Sequence, residues 1–127
     1  MTPATNAALR DLEKRLNEAT CADREIENAI FDLIDQAVHE PGVVAPVYTR
    51  SIDCAVALCE RVLWGRGLLI GRGRTRPDEP LWGVQILASD ENEERREMPV
   101  LAEAEANTPA LALCLAIVRA LLSQAPQ

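Results

Sequence analysis

The run GRGRTRP places Arg72, Arg74 and Arg76 at alternating positions, and Arg66 lies six residues before Arg72. Alternate side chains of a strand project to one side, so these four guanidiniums would form a single row. Such a row has the chemistry to bind an anion or an acidic partner through charge-assisted hydrogen bonds. A charged hairpin edge that resists aggregation accounts for the same spacing, and both readings stay open. The neighbouring glycines do not make a phosphate loop, because no G-K-[ST] follows them. Trp64 and Trp82, the two Trp residues, fall in the same region, either as core packing or as anchors of a partner contact. Arg66, Arg72, Arg74, Arg76, Trp64 and Trp82 are therefore the candidate binding residues. No residue is assigned a catalytic role.

Other reactive side chains stand without the company a catalytic site needs. His39 falls near the C-terminal end of a helical segment, where the helix dipole favours an imidazolium. No nucleophile motif or ligand pair accompanies it. Tyr48, Thr49, Ser51 and Asp53 bring hydroxyls and a carboxylate close together, as helix capping and loop anchoring require. The cysteines at 21, 54, 59 and 114 form no C-x-x-C pair, and with a single His they do not supply typical zinc spacing. No metal or cofactor is expected. Cys54, Cys59 and Cys114 lie in apolar helical runs, where a reduced thiol acts as a small hydrophobe.

The elements that carry these residues follow from periodicity. The chain of 127 residues is read as one domain, 1–127, long enough for its own core. Aromatic residues are only 3%, so that core must come from Ala, Leu, Val and Ile. Helices are expected over 5–19, 22–39, 51–63 and 108–122. The first buries Leu9, Leu12 and Leu16. The second carries Ile26, Ala29, Ile30 and Leu33, widened by Phe31, Ile34 and Val38, and stops at Pro41-Gly42. The third starts at Ser51. Strands are expected over 64–73 and 81–88, with 99–105 as a candidate third that is exposed on one face. The first two runs are nearly continuously apolar, which suggests cover on both faces of the sheet. DENEERRE reads as a solvated charged connection. The fold class is α+β, with a small antiparallel sheet of two or three strands layered between about four helices.

The last apolar run, from Pro109 to Leu122, is shorter than the roughly 20 residues that span a bilayer, and Arg119 interrupts it. It reads as a buried terminal helix that starts at a Thr108 cap followed by Pro109. No membrane association is expected. The N-terminal residues lack the apolar centre of a signal peptide, and the cysteines lack a disulfide pattern, so a reducing cytoplasm is the expected location.

Three segments, ATCADREIENAI, YTRSIDCAVAL and TPALALCLAIVRALL, resemble the phage ABA sandwich domain family of small phage and prophage proteins. That family shows a D-R-E-L/I segment, then Y-T-x-S-I/L-D-x-A, then T-P-A-L-A-L-C. The resemblance covers roughly residues 10–122 and is most specific at 108–114. The spacing between the last two motifs is slightly long here, because of the charged insertion at 89–98. The resemblance implies a sheet layered between helices and a bacterial host cell, and transfers no activity or catalytic residues.

The formal net charge of −7 argues against direct, sequence-independent binding to nucleic acid or an anionic membrane. The leading expectation is a non-enzymatic phage or prophage accessory protein that binds a protein partner. An inhibitor of a host defence complex is one form of it, in which a small acidic protein occupies a nucleic-acid-binding surface. The alternative is a small-ligand or nucleotide-binding module using the Arg-rich hairpin. An enzyme is disfavoured by the absent motifs, and self-association is left open.

Overall fold

Leu9, Leu12 and Leu16 recur at three- and four-residue spacing, so they share one helical face, and each is 2% exposed or less. They belong to α1, Pro3–Glu18, in a computed structural model that describes residues 3–73, 76–88 and 99–124. After the break at 19–23, Asp23 caps α2, Arg24–Ile30, by accepting from the amides of Glu25 (2.8 Å) and Ile26 (3.1 Å). The cap satisfies amides that have no partner within the helix.

A single regular helix was expected over 22–39, and the chain departs from it. From Phe31 to Asp35 it widens into a π-helical turn, closed by the Gln36 amide on the Phe31 carbonyl, and it then tightens to a 3-10 turn over Gln36–Val38. The widening occurs where Asp35 is fully buried. Gly42, at φ +86°, turns the chain out of this segment, as the Pro41-Gly42 stop predicts.

Ser51 caps α3, Ile52–Val62, by accepting from the Cys54 amide at 3.2 Å. Strands β1 (Gly67–Arg72), β2 (Trp82–Leu87) and β3 (Val100–Ala106) follow, and α4, Pro109–Gln124, closes the described chain. Thr108 caps α4 as its sequence position predicts, accepting from the Leu111 amide at 3.2 Å. The sheet is antiparallel in the order β1-β2-β3, with Gly71 opposite Gly83 and Val84 opposite Ala104. A register shift falls between Ile86 and Leu87. The fold is α+β.

The layers differ from the expected arrangement. Val84, Ile86, Ala104 and Ala106 point to one face and are buried there against α4, which packs on β2 and β3. On its other side α4 meets α1 and α3. Among the described residues, the order is therefore sheet, α4, outer helices, with the helices stacked on one face instead of enclosing the sheet. This explains why α4 is apolar nearly all round: both sides of a central helix are buried. Ala112 and Ala116, fully buried, serve close helix contact. The opposite sheet face leaves Leu69, Gly71, Glu103 and Glu105 exposed. The charged run 89–98 lies outside the described residues.

Candidate functional site

Among the described residues, two sets of side chains carry the chemistry. The first was not expected from the sequence. Glu27 and Asp35 are fully buried on the inner stripe of the second helical segment, each four residues from the core residue Phe31. Glu27 accepts from the Thr49 hydroxyl (2.7 Å), the Thr49 amide (3.1 Å) and Arg24 Nη1 (3.2 Å), with Arg50 Nε 3.8 Å away. The Thr49 hydroxyl oxygen in turn accepts from the Asp23 amide at 3.0 Å.

Asp35 is held from three directions. Arg61, on α3, donates twice, at 2.8 Å from Nε and 2.7 Å from Nη2. His39 Nε2 lies 2.8 Å from Oδ2, and the Tyr48 hydroxyl donates to the same oxygen. Burial by itself works to raise the Asp35 pKa. The donors Arg61, Tyr48 and His39, with the Arg61 charge, outweigh it and lower the value from 3.8 to about 2. Burial and the adjacent Asp35 carboxylate push the Tyr48 phenol upward. An ionised carboxylate held by four donor contacts is a poor general base, and a phenol held protonated is a poor nucleophile. The network therefore ties the loop over 45–51 and α3 to the second helical segment. His39, read from sequence as a helix-end imidazolium, is one of its donors and packs its ring 5.3 Å from that of Phe31.

The second grouping is the hairpin side, where the candidate binding residues were placed. The four arginines do not form one strand row. Strand β1 ends at Arg72, so Arg76 lies in the hairpin turn and Arg66 before the strand, while Arg74 lies outside the described residues. Arg66 Nη1 donates to the Ala88 carbonyl at 2.5 Å, tying the start of β1 to the end of β2. Arg72 stacks over the Trp82 ring at 5.9 Å, and Arg76 pairs with Glu79 at 3.1 Å. Trp82 itself is half-buried against the core.

Trp64 is different. It was placed in a strand, but α3 stops at Val62, and Gly65 at φ +79° turns the chain before β1 begins. The Trp64 ring consequently stands 86% exposed. On the open sheet face, toward the hairpin turn, Gly71 and Gly83 oppose each other with nothing within 4 Å of where a Cβ would stand. They floor an open groove of about 620 Å³ walled by Leu69, Gln85 and Glu103.

The chain shows no significant match to a family model, a curated protein or a solved structure.

Among the described residues, no three His, Cys, Asp or Glu side chains are grouped to hold a metal ion. Burial pushes the Cys59 thiol up to about 11, with the Glu60 charge adding to it, and burial pushes Cys114 up as well. Neither thiol is poised to react. No helix among the described residues is long and apolar enough to cross a membrane.

Proposed function

We propose that this is a non-enzymatic accessory protein, of phage or prophage type, that acts by binding another protein through its hairpin side, with Trp64 as the anchor. The observation that carries the reading is the exposure of Trp64. The chain has only four aromatic residues; Phe31 and Tyr48 are buried and Trp82 is packed, yet Trp64 stands in solvent. Trp is the residue most enriched at the energetic centres of protein interfaces, because it buries a large rigid surface at small entropic cost. Leu69 and Ile70 on β1 are exposed as well, at 41% and 38%. The phage assignment rests on the sequence resemblance, and a host defence complex as the class of partner rests on that origin together with the net charge of −7.

Site-directed photo-crosslinking in bacterial cells tests this. A benzophenone side chain at position 64 is expected to capture one discrete protein, while the same group at exposed position 53, the far end of α3, captures none. Equal capture from both positions, or none from 64, would overturn the proposal.

A further inference from the structure

The two edges of the sheet are built differently. The Gly73 amide donates to the Leu81 carbonyl at 2.8 Å, so that pair is a hydrogen-bonded one. Hydrogen-bonded and non-hydrogen-bonded pairs alternate along an antiparallel ladder. Gly71, Leu69 and Gly67 therefore bond to β2, and the amides and carbonyls of Leu68, Ile70 and Arg72 point away from the sheet. Among the described residues, nothing bonds to those outward groups. The same alternation turns the backbone of Glu103 outward on β3. There the edge is plugged: Arg119 Nη1 donates to the Glu103 carbonyl at 3.1 Å, while Arg119 Nε is anchored on Glu13 at 2.9 Å. The β2–β3 register shift and the Glu103 and Glu105 side chains protect that edge further.

Strand β1 has none of these devices. Its sequence GLLIGR contains no Pro and no acidic residue, its register with β2 is unbroken, and Ile70 is 38% exposed. Its surroundings are also basic. Arg66 and Arg72 bracket the strand and its six residues hold no Asp or Glu, in a chain whose net charge is −7. A second copy would bring this basic stretch against itself, whereas a carboxylate-bearing strand is complementary to it.

We propose that β1 accepts, as a fourth strand, an extended acidic segment of a partner protein. The proposal rests on the protein-binding reading above and specifies its mode. Three outward amides and three outward carbonyls supply main-chain hydrogen bonds, as strand addition requires. On the helix-side face, the incoming strand sets apolar residues beside Leu68 and Ile70 and a carboxylate beside Arg72. An antiparallel partner thus reads acidic-x-apolar-x-apolar, the acidic residue facing Arg72.

The test uses the whole protein, isotope-labelled, titrated with a synthetic capped heptapeptide in which Glu is followed at alternate positions by two Val. The expected result is an alternating pattern: the amide protons of Leu68, Ile70 and Arg72 move downfield as they gain acceptors, and those of Gly67, Leu69 and Gly71 stay in place. The same peptide with Lys for Glu should bind at least tenfold more weakly, and Arg72→Glu should reverse that preference. Ile70→Pro removes an outward donor without touching a β1–β2 bond, and should abolish the pattern; Arg72→Glu tests the charge argument even if the Pro variant fails to fold. Shifts without alternation, or equal affinity for the Glu and Lys peptides, overturn the proposal. Alternating shifts that grow with protein concentration alone would assign the edge to a second copy and overturn it too. A partner captured at position 64 that leaves these three amides unmoved would overturn strand addition and leave the protein-binding reading standing.

Discussion

Asp35→Asn is the sharpest probe of what holds the second helical segment in place. The substitution keeps the shape of the side chain and removes its charge. In the folded protein, the donors around Asp35 hold its pKa at about 2, against 3.8 for a free carboxyl. A group whose folded pKa is depressed contributes stability that is fully present above its unfolded pKa and is lost as pH falls through the folded one. At about 1.4 kcal/mol per pH unit, the ionised carboxylate contributes about 2 kcal/mol at neutral pH. Arg61 keeps about a third of its side chain in water (30% exposed), so stranding it adds less than for a wholly buried partner. The variant should thus be about 2 kcal/mol less stable near pH 7. The difference should shrink below about pH 4 and approach zero only below about pH 2, once the wild-type carboxyl is itself protonated. Urea unfolding followed by far-ultraviolet circular dichroism at a series of pH values measures it. The other carboxylates titrate in both proteins and largely cancel in the difference. A stability difference that stays constant from neutral pH to about pH 3 would refute the reasoning.

Other expectations follow from single contacts. Thr108→Ala removes the acceptor for the Leu111 amide and should cost about 1 kcal/mol, read as a lower urea midpoint at unchanged slope. Leu115→Asp places an unpaired charge at a fully buried position of the central helix and should abolish cooperative folding; a monomeric variant with native helicity would contradict the layer order. Gly83→Ala meets open space and should be tolerated, with a urea midpoint equal to or above that of the wild type. In native protein, a thiol reagent should modify exposed Cys21 first, and reach Cys59 and Cys114 only at the rate of unfolding.

Much of the architecture was legible because it rests on local chemistry. Thr108-Pro109, Ser51 and the Pro41-Gly42 stop marked element ends through capping and backbone preference, and the structure places ends there within a few residues. The apolar circumference of α4 announced a buried helix. What escaped notice depended on partners distant in sequence. Nothing in the local sequence chemistry singles out Glu27 and Asp35, although both lie four residues from Phe31 on the inward stripe. That spacing was the available signal, but their burial also depends on Thr49 and Arg61, 22 and 26 residues further on. The π-helical turn left no mark in the periodicity. The apolar run WGRGLLI read as a strand covered on both faces, because composition does not reveal that β1 would become an edge. For the same reason Trp64 was assigned to the strand, whereas Gly65 takes a left-handed turn and leaves the ring in solvent. The Arg spacing suggested a row that an early end to β1 breaks up.

The central claim, that the protein works by docking its hairpin side onto a partner protein, is tested most directly by Trp64 fluorescence. In a Trp82→Phe variant Trp64 is the sole Trp, and its 86% exposure predicts red-shifted emission that acrylamide quenches readily. Titrated with the protein captured from position 64, the variant should show emission moving to the blue and quenching falling severalfold, saturating at one stoichiometry. Saturable binding of that protein, measured independently, with Trp64 emission and quenching unchanged, would contradict the account.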